Sequence, residues 1–237
     1  MDKSDVDGIA QEYRPDGDFD RVGTRLASRI IVPLCKGLDV LEVGCAFGDM
    51  TADLTAIASS VTVVEPSATF CDAVSRRLGS QIRVVNAFLE DLDGAVRYDA
   101  VILASLLHHL DDPVAFLRRA KQLLRPGGMV LATVPNMTSL HRRIGVKAGL
   151  IIDVADTTER NTRFQQPGRF VKASLDDLFR KAGYDVAESY GFMLKPFSNA
   201  QMESLNLEPR IIDALFEIGK EFPNLATHLF VRASLSS

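Results

Sequence analysis

Strand-like and helix-like stretches alternate five times before residue 134. That alternation predicts an α/β protein on a mostly parallel sheet with helices on both faces. Two further observations agree. The stretch YDAVILA over 98–104 is almost wholly apolar, as a strand covered on both faces must be. A turn bearing Gly44 and Gly48 joins the first strand to the next helix. Open parallel sheets place their ligands at such turns, where glycine lets the backbone bend sharply and approach closely.

The elements follow in order. Residues 1–19 are polar and are expected to be loose, with Tyr13 folding back toward the body. Residues 20–34 carry Val22, Leu26, Ile30 and Leu34 at roughly helical spacing. A short apolar strand is expected at 38–43 and a helix at 49–58. The β-branched run 61–64 reads as a strand stopped at Glu65-Pro66. A helix over 68–78 is closed by Gly79, and 82–85 is a third strand. After the fourth strand, Asp112-Pro113 opens a helix that runs to Leu124. Pro126-Gly127-Gly128 then turns into a fifth strand over 129–134.

The remainder is less regular. Residues 136–149 read as helical and 153–170 as a polar loop. A helix over 174–182 is expected with Ser174 as its cap, followed by a strand over 184–192. Leu207, Ile211, Ile212, Leu215, Phe216 and Phe222 form an amphipathic pattern over 207–222, and 227–233 reads as a last strand. No linker divides the chain. It is expected to be a single domain over 1–237, with a core at 38–135 and insertions at 136–170 and 195–225.

Composition bounds the function. An apolar fraction of 46% and a charged fraction of 24% are those of an ordinary globular protein. A net charge of −4 argues against nucleic acid as partner. Cys35, Cys45 and Cys71 are few and unpatterned, which points to a reducing, cytoplasmic setting. The opening MDKSDVDG lacks the apolar core of a signal peptide. The run AVILASLLHHL is too short for a membrane span, which needs about 20 residues.

The glycine turn by itself is compatible with a plain strand-to-helix connection. Glu65 changes that reading. It ends the second strand about 20 residues later, where an acid accepts hydrogen bonds from ribose hydroxyls. Together the two features imply a nucleoside-bearing cofactor. The dinucleotide pattern needs glycines where this chain has Gly44, Ala46 and Asp49. An acid at Asp49 would face a pyrophosphate at the helix start, so an NAD-linked oxidoreductase is disfavoured.

The segment Glu42-Val43-Gly44-Cys45-Ala46-Phe47-Gly48 resembles motif I (E/D-x-G-x-G-x-G) of the class I S-adenosylmethionine-dependent methyltransferases. VTVVEPS supplies the matching ribose acid, and the stretch from YDAVILASLLHHLDDP to RPGGMVLATVPN follows the family through its fourth and fifth strands. The resemblance covers about 38–135. It implies a Rossmann-like, seven-stranded, mostly parallel sheet with helical lid insertions. It further implies S-adenosyl-L-methionine as cofactor and S-adenosyl-L-homocysteine as product. Carried over residue by residue, the cofactor would touch Glu42, Gly44, Cys45, Ala46, Gly48, Met50, Glu65, Pro66, Ala87, Phe88, Leu89, Ala104 and Ser105. Two positions depart from the pattern. Ala46 adds a methyl group, tolerable if its φ stays negative. Phe88 stands where the family often has an acid, so stacking or backbone contacts take a larger share in holding the adenine. VPNMTSLHRRIGVKAGLI and FMLKPFSNAQME also resemble a bacterial subgroup associated with natural-product or cell-surface glycan modification.

Methyl transfer from a sulfonium is an in-line displacement, and a hydroxyl acceptor must lose a proton. His108 and His109 follow the fourth strand. Adjacent residues on a helical turn point about 100° apart, so one of the two faces the cofactor. His109 matches the family's histidine and is the preferred candidate base of the two; against that role stands the plainer one of hydrogen-bonding backbone or packing beneath the cofactor. His141 is a further candidate. With Arg142, Arg143, Lys195 and Tyr13 it would bind an anionic acceptor, against the plainer reading of a solvated basic face. Asp111-Asp112 mimics part of a hard-cation site but is also an ordinary helix start, and no Cys/His cluster has zinc spacing, so no metal is expected. The partners expected are a small-molecule substrate, without nucleic acid or membrane, in a monomer or homodimer. The competing functions are an N- or C-methyltransferase and a non-catalytic module that keeps the fold.

Overall fold

A computed structural model describes residues 3–12, 19–157, 162 and 166–235. Its seven strands are β1 (Asp39–Val43), β2 (Ser60–Val64), β3 (Arg83–Val85), β4 (Tyr98–Ala104), β5 (Leu124–Pro135), β6 (Tyr184–Phe192) and β7 (His228–Leu235). They lie in the order β3-β2-β1-β4-β5-β7-β6. β1 to β5 pair in parallel, and β7 runs antiparallel to both β5 and β6. The chain winds outward from β1 to β3, then crosses back to β4. A crevice therefore opens between β1 and β4 beyond their carboxyl ends.

The period of two along each strand sorts the core into two layers. Leu41, Val43, Val101 and Leu103 pack with α5 (Pro113–Lys121) and α7 (Lys172–Lys181), through Phe116, Leu117, Leu175 and Phe179. Val40, Ala100 and Ile102 pack on the other layer with α2 (Asp20–Ile31), α3 (Asp49–Thr55), α4 (Ala68–Leu78) and α9 (Pro209–Glu221), through Leu26, Leu54, Val74 and Phe216. This explains why β4 reads as an unbroken apolar run: both of its faces are fully covered. Truncating Ile102 to alanine there would cost about 2–5 kcal/mol.

Several sequence expectations are corrected. Residues 3–12 are not loose. They form α1 (Lys3–Glu12), which docks on α4. The Ser67 hydroxyl and the Thr69 amide both donate to the Asp7 carboxylate, and Lys3 Nζ donates to the Asn86 carbonyl at 2.8 Å. The sequence hid this helix because its apolar residues are few, and polar contacts hold much of it in place. α2 stops at Ile31 and tightens into a 3₁₀ turn over Val32–Cys35, where Pro33 cannot supply the helical N–H. Ser174 is not the N-cap but the third helical residue, whose hydroxyl closes the return half of a capping box. α7 begins at Lys172, and the Ser174 hydroxyl accepts from the Val171 amide at 3.1 Å. The helix after β1 ends at Thr55, short of 58. Tyr13 lies outside the described residues. Among these residues no helix is long and apolar enough to cross a membrane.

Candidate active site

The turn after β1 is held by its own backbone. The Gly44 amide donates to the Val64 carbonyl at 3.0 Å, tying the turn to the end of β2, and the Gly48 amide donates to Cys45 at 2.9 Å. Gly44 and Gly48 have φ of 76° and 77°, left-handed values that favour glycine. A Cβ at Gly48 would also stand 2.6 Å from Val74 Cγ2. Gly48 thus lets the turn lie flat against α4.

Ala46 departs from the sequence expectation. Its φ is +46°, not negative, so it occupies the position that the usual glycine would fill, at a cost of about 1–2 kcal/mol. Ser105 after β4 and Met193 after β6 are likewise left-handed, at φ of 52° and 63°. All three line the same cavity. Backbone strain gathers at ligand sites because only an over-determined surrounding maintains it.

That cavity measures about 1180 Å³ and opens along the carboxyl ends of the strands. Of the thirteen predicted cofactor positions, all but Gly48 line it. Two acids stand at its floor. Glu42 is buried and accepts from the Thr51 hydroxyl at 2.6 Å. Glu65 is buried at the end of β2 and accepts from the Ser67 amide at 2.9 Å. Burial pushes each carboxyl up to about 7; the hydroxyl and amide donors oppose that rise without cancelling it. Asp49 is engaged by Arg77 at 2.6 Å, an exposed pair beside the turn. Phe88 lines the cavity next to Ala87 and Leu89, and Phe47 meets Phe70 edge-to-face at 5.0 Å.

Beyond β4 the lining brings in histidines, followed by Asp111 and Asp112. His108 and His109 sit on a 3₁₀ turn with ring centroids 4.2 Å apart. His108 is buried, its Nδ1 has no partner, and burial holds its pKa well below the ordinary histidine value. Its carbonyl accepts from the Gly168 amide at 3.0 Å, which ties Gly168 to this turn. His109 is half-buried and lines the cavity. His141, on α6 (Leu140–Lys147), has an unpartnered buried Nδ1 and is pushed down to about 3, first by burial and then by Lys195 and Arg142. Lys195 is buried after β6 and donates to the Asn199 carboxamide, whose own amide donates to Asp20.

The basic positions separate on inspection. Arg142 lines the cavity, but its guanidinium donates to the carbonyls of Val154 and Asp156, pinning the insertion. Arg143 is exposed, donates to the Thr138 carbonyl at 2.9 Å and does not line the cavity. It faces solvent because α6 presents His141 to the cavity and turns the residue two places on away. In the second insertion only the first part, with Lys195 and the start of α8 (Asn199–Ser204), reaches the cavity. α9 instead buries Ile212 and Phe216 in the sheet core. Asp112 caps α5 through the Ala115 amide at 2.9 Å, and among the described residues no cluster of His, Cys, Asp and Glu is arranged for a metal.

Sequence reasoning missed His228. It is the first residue of β7, opposite both Pro135 and Phe192. Because β7 is antiparallel, its beginning lies at the same end as the carboxyl ends of β1 to β5. Its ring stacks on Phe192 at 5.3 Å and 19°, and burial and Lys195 push it down to about 4. The available signal was a histidine at the start of a last strand, which becomes meaningful only once that strand's direction is known.

Comparison with known proteins agrees with this geometry. Residues 41–130 match the family described as "Methyltransferase domain". The chain is 25% identical over 168 residues to the ubiquinone biosynthesis O-methyltransferase of Nitrobacter winogradskyi, covering 69% of this chain and 62% of that protein. It spans 45% of the human mitochondrial counterpart. Among solved structures, the CcbJ methyltransferase of Streptomyces caelestis superposes with a TM-score of 0.62 at 18% identity, covering 98% of this chain and 96% of that one. The Burkholderia thailandensis 1,6-didemethyltoxoflavin-N1-methyltransferase, solved with S-adenosylhomocysteine, gives 0.58 at 20% identity, covering 89% and 77%. The fold is that of the class I S-adenosylmethionine-dependent methyltransferases.

Proposed function

We propose that this chain is an S-adenosylmethionine-dependent methyltransferase acting at oxygen on a small-molecule acceptor, in natural-product or glycan biosynthesis and in a reducing, cytoplasmic setting. The observation that carries the reading is one cavity that joins a buried strand-end carboxylate, Glu65, to the left-handed turn from Gly44 to Gly48. The residues fit the cofactor on their own chemistry. An acid at the end of β2 suits vicinal hydroxyls, and a phosphate-free tail suits a turn that carries no basic residue. The name O-methyltransferase on the curated relatives supports oxygen as the acceptor atom.

Each part of the chain then has a task. Glu65 accepts the ribose hydroxyls, the turn holds the amino-acid tail, and Phe88 and Leu89 flank the adenine. When bound, the sulfonium supplies an electrophilic methyl group. His109 takes the proton of the acceptor hydroxyl, and both insertions exclude water above it. Holding the acceptor oxygen about 3–3.5 Å from the methyl carbon supplies much of the rate. The test is calorimetry with S-adenosylhomocysteine, followed by transfer of labelled methyl to candidate hydroxyl acceptors. Micromolar or tighter binding is expected, and its absence would sink the proposal.

A further inference from the structure

All four histidines of the chain line the one cavity, and two of them, His141 and His228, have no task in the reading above. They come from α6 and β7 and share their end of the cavity with the buried Lys195. In the sheet order β7 lies four strand steps from β2, so His228 stands about 19 Å from the ribose end at about 4.8 Å per step. That is the acceptor's end of the cavity.

The chemistry of this end is specific. Lys195 brings an ammonium, tethered through Asn199 to Asp20 of α2. Burial and the nearby Lys195, with Arg142 also acting on His141, keep both imidazoles neutral at pH 7, so each offers one N–H donor. The hydroxyl of Thr227 and the Nδ1 of His141 are buried without partners. An apolar occupant would leave them so, which is costly, and a cation would meet Lys195. An oxyanion would engage the ammonium and the donors together. The fold also gives up something for this arrangement. Gly23 lies inside α2, where glycine weakens a helix, and a Cβ there would stand 2.8 Å from His228 Nε2. Removing that Cβ makes room for the ring.

We propose that Lys195, His141 and His228 form an oxyanion site that anchors a carboxylate of the methyl acceptor. The acceptor class is then a hydroxy acid, with its body against the apolar walls supplied by Phe19 and Met193. This inference rests on the methyltransferase reading, and the experiment separates the two. The whole chain is first saturated with S-adenosylhomocysteine, then titrated with benzoate and with its uncharged isostere benzamide. Benzoate is expected to bind about tenfold or more tightly than benzamide, the ratio of a charge-assisted contact. The ring signals of His141 and His228 should shift with benzoate in nuclear magnetic resonance spectra. Lys195→Met should bring the ratio near one with the affinity for S-adenosylhomocysteine unchanged. Equal binding of the two probes, or shifts confined to His108 and His109, would overturn the oxyanion site while the cofactor reading stands. Failure to bind S-adenosylhomocysteine would overturn both at the first step. If the variant does not fold, the unmodified protein's ratio and its ring shifts decide the matter.

Discussion

The two halves of the cavity are built in opposite ways. The half proposed for the cofactor comes mainly from consecutive turns after β1, β2 and β3, within residues 42–89, with Ala104 and Ser105 after β4, and the acids Glu42 and Glu65 stand at its floor. The half proposed for the acceptor collects single residues from α2, α6, the loop after β6 and the start of β7, and its ionisable groups are mainly bases. The first half is dictated by backbone geometry, since a left-handed turn and a close helix admit few residue types. The second is dictated by tertiary placement, which leaves no local trace. A universal cofactor suits the first construction, and a variable acceptor suits the second.

Gly48→Val tests the backbone half most severely. The left-handed φ and the 2.6 Å approach to Val74 cannot both be satisfied with a branched side chain. S-adenosylhomocysteine affinity should fall by about 100-fold or more by calorimetry. His109→Ala, at the boundary between the halves, should lower turnover by about 10²–10⁴-fold with little change in cofactor affinity. Unchanged turnover would leave positioning as the mechanism.

Glu65→Ala should weaken S-adenosylhomocysteine by about 10- to 100-fold, through the loss of hydrogen bonds to a charged acceptor. With its carboxyl near 7, Glu65 protonates as the pH falls through neutrality, so the parent protein's affinity should drop on the acid side and level off above pH 7. Glu65→Gln should flatten that profile, and a flat parent profile would remove the carboxylate from ribose binding.

Glu42 carries a smaller consequence, read in stability. Its folded pKa of about 7 lies above the ordinary 4.5. The native state therefore binds more protons between these values, and its contribution to stability, full below about 4.5, is lost as the pH rises through 7. Glu42→Gln should raise the melting temperature at pH 8 and leave it nearly unchanged at pH 4.5. The smallest effect is expected in the acceptor half. Gly23→Ala gains helix propensity but crowds His228, so melting should change little while the benzoate preference falls.

Much of the fold was legible because alternation of strand and helix and the buried run over β4 are local patterns. The turn after β1 was legible for the same reason, since Gly44 and Gly48 mark two of its left-handed positions. Ala46 was misread because the chain accepts strain there that no propensity reveals. α1 was missed because Lys3 and Asp7 fix it by contacts to residues sixty or more positions away. His228 was missed because strand direction, not composition, carries it to the cavity. Arg143 was overread because charge on a short helix does not say which side faces inward.

The position of β7 has a consequence for how the molecule assembles. Among the described residues it is the last strand in sequence, yet it lies between β5 and β6, and β6 pairs with no other strand there. During synthesis β6 must therefore wait as an open edge until residues 228–235 emerge and slot into the gap. The same event delivers His228, so closure of the sheet and completion of the pocket wall arrive in one step, and a nascent chain stopped short of residue 228 would have neither.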